Sequence, residues 1–281
     1  MLPFKLTPRT QMSMPEDWIP PILAHKDYAA DSVFTPENLL REARRQRVID
    51  KGDIPSVCIL DPDGDIVRVL LASGQAKLDP FWACYHTQLY RFTIAGAEFG
   101  IVGTAVGAAF AVLIAEEMFA SGCRLLISVT SSGQIIPVRR PPYFIMIDRA
   151  LRDEGTSYHY MAPSEFAFAA PELLAALDGA FAELGIPVFA AGTWTTDAPF
   201  RETQHALDGM REKGLYAVEM EAAALYAFAT AKDKPVICFA HVTNQMGVIE
   251  GDFEKGEVSG VKDSLKLIEA IADRLRHHLR R

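Results

Sequence analysis

Cysteine is scarce in this sequence. Its 281 residues contain four cysteines, and no two of them form a C-x-x-C pair. This spacing excludes a disulfide scaffold and predicts no zinc or other metal site. We expect the four thiols to be reduced and buried, as in a cytoplasmic protein.

Excess positive charge and long apolar runs are also lacking. Lys and Arg number 28 against 36 Asp and Glu, which gives a formal net charge of −8. General nucleic-acid binding needs the opposite balance, so no nucleic-acid partner is expected. The longest uncharged stretch, Phe99–Ala115, has 17 residues, whereas a membrane span needs about 20 apolar residues. We therefore expect no membrane partner, and the N-terminus shows no apolar secretion signal.

Prolines separate the beginning of the chain from the rest. Five of them occur within the first 21 residues, which predicts an extended or irregular segment. A helix over Pro36–Asp50 is expected to follow, with Thr35 as its N-cap. We predict an N-terminal arm over residues 1–50 and one catalytic domain over residues 51–281.

From residue 55 onward, short apolar runs alternate with helical patterns. This alternation predicts an α/β sheet that is covered on both faces. Strands are predicted at Val57–Leu60, Phe99–Val102, Leu125–Val129, Phe144–Asp148, Val188–Ala191 and Val236–His241. Helices are predicted at Ala108–Ala120, Pro171–Leu184, Glu221–Thr230 and Val261–Leu279, and Ile66–Leu71 is a strand or a short helix.

Four polar segments follow predicted strands, where open α/β sheets bind their ligands. The first, residues 103–107 (GTAVG), has glycines that would let backbone N–H groups approach an anion at a helix N-terminus. It lacks the G-x-G-x-x-G pattern of dinucleotide sites, and a plain tight turn explains it equally well. The second, residues 130–133 (TSSG), offers hydroxyls to a phosphate or a sugar, or forms a hydroxyl-capped turn.

The other two polar segments carry carboxylates. Residues 195–203 (TTDAPFRET) form either a binding loop or a surface salt-bridge cluster. In residues 217–225 (AVEMEAAAL), Glu219 and Glu221 interrupt an apolar stretch. Their spacing suits a strand end that leads into a helix. Glu221 would then hold the vicinal hydroxyls of a ribose, although charge at a helix N-terminus is the simpler alternative.

Residues 218–225 resemble the ribose-binding signature of the nucleoside phosphorylase superfamily, which includes uridine phosphorylase and hexameric purine nucleoside phosphorylase. The resemblance extends over roughly residues 55–275, and the uridine phosphorylase branch looks nearest. Further segments in the family's order are residues 103–122, 130–133, 152–160, 195–197 and 242–244.

The resemblance implies a fold and an activity. The fold is α/β, a three-layer αβα sandwich with a central mixed β-sheet. The activity is cleavage of the N-glycosidic bond of a purine or pyrimidine nucleoside by a glycosyltransferase (pentosyltransferase), by family default with phosphate as acceptor. No cofactor is implied. The expected partners are a small-molecule nucleoside, phosphate and further copies of the chain in a homodimer or homohexamer.

The resemblance also assigns residues by position. Ribose binding falls to Glu219, Met220 and Glu221, with Glu219 in a supporting role, and base binding falls to Ser132, Gly133 and Phe200. Glu221, Arg201 and Asn244 are the catalytic candidates, and Asp61, Asp63 and Ser131 form the phosphate or water site.

The phosphate-binding arginines of uridine phosphorylases are missing. Their Gly-Asp-Pro-x-Arg loop corresponds to residues 60–64 (LDPDG), and two further arginine positions correspond to Ser128 and Tyr85. Carboxylates near a phosphate repel it, by about 1 kcal/mol per pair at 4 Å in water. Either another cation supplies the positive charge or water replaces phosphate, which would make the enzyme a nucleosidase. The candidate cations are Arg139, Arg140 and Arg201. A non-catalytic nucleoside-binding protein is the further alternative.

Overall fold

A computed structural model describes residues 18–247 and 250–275 of the chain. Ten strands lie in this part of the chain: β1 (Val57–Asp61), β2 (Lys77–Leu78), β3 (Leu89–Ile94), β4 (Ala97–Gly103), β5 (Leu125–Gln134), β6 (Tyr143–Asp153), β7 (Phe166–Phe168), β8 (Val188–Thr196), β9 (Leu215–Glu219) and β10 (Val236–Asn244). The α-helices within the same residues are α1 (Pro36–Arg47), α2 (Asp65–Ala72), α3 (Ala108–Ala120), α4 (Pro171–Ala176), α5 (Gln204–Glu212), α6 (Ala222–Lys232) and α7 (Val261–Leu275).

The strands form one mixed sheet that is centred on β5. This strand pairs in parallel with β1 and β10, and its last two residues pair antiparallel with β9. β10 continues antiparallel to β6, β6 runs parallel to β8, and β8 runs parallel to β9. Strands β5, β10, β6, β8 and β9 therefore close on themselves, while β1, β4, β3 and β2 extend the sheet on the other side of β5.

Two groups of helices cover the sheet. Helix α3 contacts both α1 and α6, and α7 contacts both α2 and α4. The interior consists of the apolar residues of the central strands and of buried helix segments such as Ala222–Phe228. The mixed central sheet with helices on both sides confirms the predicted three-layer α/β fold. None of the helices in the described ranges combines the length and the apolar character that a bilayer span requires.

The arm helix begins where its local sequence predicts. The Thr35 side chain accepts a hydrogen bond from the Asn38 backbone N–H at 3.3 Å, and Pro36 occupies the first helical position. Leu40 and Ala43 are fully buried in a small cluster with Ala83. The division of the chain at residue 50 stays a prediction, and residues 1–17 of the arm lie outside the described residues.

Several predicted boundaries were wrong. The helix expected over Pro171–Leu184 ends at Ala176, because Gly179 adopts a left-handed backbone conformation with φ +68° and turns follow. Residues 130–133 and 195–196, expected in loops, belong to β5 and β8, since neighbouring strands pair with them. The ambiguous segment 66–71 is helical. The last four residues of the predicted C-terminal helix lie outside the described residues.

Candidate active site

Glu221 lies in the short link between β9 and α6. It is the N-cap residue of α6, and its side chain is 1% exposed. Oε1 accepts a hydrogen bond from the Gly107 backbone N–H at 2.7 Å, and Oε2 has no hydrogen-bond partner among the described residues. A buried carboxylate oxygen without a donor costs free energy. Glu221 is therefore poised to accept hydrogen bonds from a ligand.

The glycine segment that leads into α3 meets this carboxylate. Gly107 has φ +92°, a conformation that glycine adopts without strain, and its N–H precedes the first turn of α3. The sequence left two interpretations of this segment, a tight turn and an anion site. In the structure the Gly107 N–H donates to the Glu221 carboxyl group of the same chain.

Glu219 fixes the backbone of the link between β9 and α6 by hydrogen bonds. Its Oε1 accepts hydrogen bonds from the Thr193 and Thr195 hydroxyls at 3.1 and 2.5 Å. Its Oε2 accepts from the backbone N–H groups of Glu221 and Ala222 at 2.8 and 2.7 Å. These four bonds use the acceptor capacity of a carboxylate. Glu219 thus has the geometry of a positioning residue that acts on a ligand through Glu221.

The two carboxylates influence each other's ionisation. Burial raises the pKa of Glu221 to about 8, and the nearby Glu219 carboxylate contributes to the rise. The Gly107 N–H and the Thr130 hydroxyl oppose the shift. Burial also raises the pKa of Glu219. A ligand that donates hydrogen bonds to Glu221 would favour its ionised form.

These shifts predict that stability falls as pH rises. Between the unfolded pKa of Glu221 near 4.5 and its folded value of about 8, the folded chain holds a proton that the unfolded chain releases. The stabilising contribution is therefore complete below pH 4.5 and is lost as pH rises through 8. We expect the Tm of Glu221→Gln, measured by differential scanning fluorimetry, to rise relative to the unmodified protein between pH 5 and pH 8. Parallel Tm curves for the two proteins would contradict this assignment.

Asp61 is the last residue of β1, and Asp63 lies in the loop between β1 and α2. Asp61 is 2% exposed and accepts a hydrogen bond from the Val67 N–H at 3.0 Å. Burial raises the pKa of Asp61 to about 7. Asp63 Oδ2 accepts from the Ser131 backbone N–H at 3.0 Å. The structure therefore brings together all three residues that the sequence assigned to the phosphate or water site.

Lys255 supplies part of the positive charge at this loop. Its Nζ lies 2.5 Å from Asp65 Oδ2 and 3.8 Å from Asp63 Oδ2. The sequence proposed Arg139, Arg140 or Arg201 for this role, but all three are exposed, and no ion pair links them to the acidic loop within the described residues. Arg68 Nη1 also lies 2.5 Å from Asp65 Oδ1, so one cation at the loop is local, while Lys255 comes from 190 positions away in sequence. The roles of Arg139, Arg140 and Arg201 stay predictions.

A histidine that the sequence analysis missed lines the same place. A cavity of about 20 Å³ lies between Asp61, Asp63, Ser131 and His241. The His241 ring stacks on Phe144 with centroids 4.4 Å apart. Burial lowers the pKa of His241 to about 4, and Lys255 adds to the effect. The imidazole is therefore neutral at pH 7. The sequence did contain a signal for this residue, because His241 is the last residue of the predicted strand Val236–His241, although β10 continues to Asn244.

Ser132, Gly133 and Asn244 lie together on the other side of β5. Asn244 Nδ2 donates to the Ser132 carbonyl at 3.4 Å, and Asn244 Oδ1 accepts from the Met246 N–H at 2.9 Å. A Cβ atom on Gly133 would lie 2.7 Å from Met246 Sδ and 3.2 Å from Asn244 Oδ1. The Ser132 hydroxyl is buried without a partner in the described part of the chain. These residues form one buried cluster beside β5 that contains a hydroxyl available for a further hydrogen bond.

Phe200 and Arg201 lie on the surface of the described chain. They belong to a short 3₁₀ helix, Pro199–Arg201, which follows the last residues of β8. The Phe200 side chain is 99% exposed, and Arg201 is also exposed. Met220, between the two glutamates, is half-buried. The assigned roles of Phe200, Arg201 and Met220 stay predictions.

No group of three or more His, Cys, Asp or Glu side chains within the described ranges is arranged to hold a metal ion. The site offers carboxylates, hydroxyls, backbone N–H groups and one lysine. This set can bind a polyhydroxylated sugar at Glu221 and an anion or water near Ser131.

Comparison with known proteins identifies relatives over most of the chain. A sequence profile described as "Phosphorylase superfamily" matches residues 57–273. Uridine phosphorylase from Thermococcus kodakarensis is 27% identical over 213 residues, which are 66% of this chain and 77% of that protein. Guanosine phosphorylase from Halorubrum lacusprofundi is 22% identical over 236 residues, which are 83% of this chain and 93% of that protein.

Solved structures share the fold. Purine nucleoside phosphorylase from Toxoplasma gondii, in complex with immucillin-H, matches with a TM-score of 0.68 at 17% identity, over 80% of this chain and 92% of that one. Uridine phosphorylase from Vibrio fischeri, in complex with 6-hydroxy-1-naphthoic acid, matches with a TM-score of 0.60 at 18% identity, over 81% and 90%.

Proposed function

Because the chain belongs to the phosphorylase superfamily, we propose that it cleaves the N-glycosidic bond of a nucleoside with phosphate as the acceptor. It is a glycosyltransferase of the nucleoside phosphorylase type. The observation that carries the proposal is the buried Oε2 of Glu221, which has no hydrogen-bond partner in the described part of the chain and lies in the segment that resembles the family's ribose-binding signature.

The ribose would be held by Glu221. An ionised carboxylate accepts hydrogen bonds from two neighbouring hydroxyls, which matches the vicinal diol of a ribose. Gly107 already donates to Oε1, so the carboxylate is fixed before the substrate arrives. Met220 would contact the apolar side of the sugar. Such preorganised bonds strengthen as positive charge develops on the sugar in an oxocarbenium-like transition state.

The base would lie between the buried cluster beside β5 and the surface 3₁₀ helix. Ser132, Gly133 and Asn244 form the cluster, and Phe200 would stack on the other face of the base. The leaving base carries negative charge, which Arg201 or the Asn244 amide would stabilise. Support for this part comes from the resemblance and from the proximity of Asn244 to Ser132.

The acceptor would bind at the end of β1 and β5. Ser131 offers a backbone N–H and a hydroxyl, and Lys255 offers the positive charge that phosphate needs. Asp63 now accepts from the Ser131 N–H, so phosphate binding requires this carboxylate to move away. The same contact favours a second candidate function, because Asp63 or Asp61 in this place could orient or deprotonate water. The enzyme would then be a nucleosidase.

A product analysis separates these functions. Purified protein is incubated with uridine, inosine, guanosine and adenosine, with and without phosphate, and the products are separated by chromatography. Phosphorolysis yields free base and ribose 1-phosphate only when phosphate is present. Equal rates in both conditions, with ribose as product, would establish the nucleosidase instead. No free base from any nucleoside would reject both reactions and favour a nucleoside-binding protein.

Lys255 provides a sharper test of the acceptor site. Lys255→Gln removes one of the two cations at the acidic loop and leaves the Asp63 carboxylate without its ion pair, so phosphate is repelled more strongly. We expect the KM for phosphate to rise by about tenfold, equivalent to about 1.4 kcal/mol, while the KM for the nucleoside changes by less than about twofold. Lys262→Gln is the matched control, because Lys262 pairs with Glu257 at an exposed position. An unchanged KM for phosphate in Lys255→Gln would remove Lys255 from the acceptor site.

The resemblance also supports proposals about assembly and location. We expect a homodimer or a homohexamer that works in the cytoplasm. Exposed apolar side chains are consistent with contacts between copies: Val33 is 98% exposed, and Phe200 is 99% exposed. Sedimentation velocity measures the oligomeric state, and a monomer at micromolar concentration would contradict this proposal.

A further inference from the structure

Helix α6 begins at Glu221 without a cap from its own side chain. Glu221 is the N-cap residue, but its side chain makes no capping hydrogen bond within the described part of the chain. An N-cap side chain usually accepts a hydrogen bond from the N–H of the second or third helical residue. The Glu221 carboxylate accepts from the Gly107 N–H instead. Other groups must therefore satisfy the first N–H groups of α6, because unpaired buried donors are costly.

Two residues of neighbouring strands supply the missing cap. Glu219, at the end of β9, accepts from the backbone N–H groups of Glu221 and Ala222. Thr195, in β8, accepts from the Ala223 N–H through Oγ1 at 2.9 Å. Ala223 is the second helical residue of α6, so the Thr195 hydroxyl takes the acceptor position that an N-cap side chain normally fills. Three consecutive N–H groups are thus satisfied without the Glu221 side chain.

The Thr195 hydroxyl both donates and accepts. It donates to Glu219 Oε1 at 2.5 Å while it accepts from the Ala223 N–H. A hydroxyl has one proton, so the bond to the carboxylate orients its lone pairs toward the helix. Thr195 is fully buried, and its backbone is fixed because it pairs with Glu219 in the parallel register of β8 and β9. This hydroxyl therefore links β8, Glu219 and the first turn of α6.

Thr193 is an internal comparison for Thr195. It is equally buried, and its hydroxyl also donates to Glu219 Oε1, at 3.1 Å. Its hydroxyl has no hydrogen bond to α6 in the described ranges. Removal of the Thr193 hydroxyl would cost Glu219 one donor, whereas removal of the Thr195 hydroxyl would also leave the Ala223 N–H without its acceptor. The two threonines therefore separate support of Glu219 from capping of the helix.

We propose that Thr195 is a positioning residue of the nucleoside site, which caps α6 in place of Glu221 and so keeps the Glu221 carboxylate available to the ribose. This inference rests on the proposed function, in which the ribose is the ligand of Glu221. Without the Thr195 hydroxyl, the Ala223 N–H lacks its acceptor, and the carboxylate at the N-cap position turns toward it. The helix then keeps a cap, but the ribose loses its acceptor.

The preference for a ribose diol tests this role. Uridine, inosine, guanosine and their 2′,3′-dideoxy analogues are titrated calorimetrically without phosphate. In Thr195→Val, which keeps the size of the side chain, we expect the preference for the ribonucleoside to fall by about tenfold. Thr195→Ser keeps the hydroxyl and should retain most of the preference, and Thr193→Val should reduce it less than Thr195→Val does. Thr93→Val, at an exposed position on β3, is the control and should bind as the unmodified protein does.

Thermal unfolding tests the cap without any nucleoside. If Glu221 replaces the lost hydroxyl in Thr195→Val, the change lowers Tm only slightly while Glu221 is present. In the Glu221→Ala background no carboxylate can take over, so the same change should lower Tm by roughly 2–4 °C more, the effect of losing one helix cap. Thr195→Ala deletes the same hydroxyl and serves in both measurements if Thr195→Val does not fold.

The two measurements fail in different ways. An unchanged diol preference in Thr195→Val, or the same Tm loss with and without Glu221, would overturn the role of Thr195. A loss of preference in Thr195→Ser as large as in Thr195→Val would overturn it as well, because the hydroxyl would not matter. If the unmodified protein has no diol preference, the proposed ribose site is wrong, and the Tm comparison alone then decides whether Thr195 caps α6 in place of Glu221.

Discussion

Replacing Glu221 by alanine is expected to lower kcat/KM for nucleoside cleavage by about 10²–10³, or about 3–4 kcal/mol of transition-state stabilisation. The change removes the carboxylate that would hold the ribose hydroxyls, and these bonds strengthen as the glycosidic bond breaks. Steady-state kinetics with the nucleoside that is cleaved fastest measures the effect. The kcat/KM of Glu221→Gln should lie between those of Glu221→Ala and the unmodified protein, because the glutamine amide retains one acceptor oxygen but loses the charge.

Glu212→Ala provides the control for this comparison. Glu212 is exposed and ends helix α5, so its removal should leave kcat/KM within about twofold. Circular dichroism and Tm establish that both variants are folded. If Glu221→Ala keeps the full kcat/KM while it is folded, Glu221 does not hold the reacting sugar.

Replacing Glu219 by glutamine is expected to cause the largest loss of stability among the site variants. Glu219 accepts four hydrogen bonds, two at each carboxylate oxygen. In glutamine an NH₂ group replaces one of these oxygens, so this donor would face two other donors. Removing an acceptor from a buried, charged hydrogen-bond network lowers the free energy of unfolding by about 2–4 kcal/mol. For a chain of this length we expect Tm to fall by roughly 5–10 °C.

Activity should fall together with stability in Glu219→Gln, because the first N–H groups of α6 lose their acceptor and Glu221 shifts. The expected pattern is a lower kcat with a smaller change in the KM for phosphate. Glu183→Gln, an exposed substitution, serves as the control for Tm. A Tm within 1 °C or so of the unmodified protein would show that the four hydrogen bonds contribute little.

Local signals in the sequence were sufficient for much of the fold. Helix α3 has the boundaries that its apolar run and glycines predict, and α1 begins at the predicted Thr35 cap. The alternation of strands and helices gave the sheet with two covered faces. These features are determined by residues that are close together in the chain, and sequence patterns therefore predict them directly.

Contacts between distant segments could not be predicted. β5 extends to Gln134 because β9 and β10 pair with residues that read as a polar turn. The closure of the sheet through β5 and β10 is likewise set by pairing over more than 100 positions. Helix α4 shows the opposite error, since the apolar pattern continues after Gly179 turns the chain.

In the candidate site, too, the local features could be predicted and the contacts between distant segments could not. The spacing of Glu219 and Glu221 predicts a strand end that leads into a helix, and the structure has this arrangement. The Gly107 contact to Glu221 and the Lys255 contacts to the acidic loop join segments 114 and 190 positions apart. Charge complementarity over such distances leaves no periodic signal. Lys255 was therefore missed, and exposed arginines were considered instead.

The central claim is that Glu221 binds the ribose diol of a nucleoside. The most direct test is calorimetric titration, without phosphate, of inosine, guanosine and uridine and their 2′,3′-dideoxy analogues, with the unmodified protein and with Glu221→Gln. We expect the unmodified protein to bind a ribonucleoside at least about tenfold more tightly than its dideoxy analogue, and Glu221→Gln to lose most of this difference. The same preference in both proteins would mean that Glu221 does not bind the ribose diol.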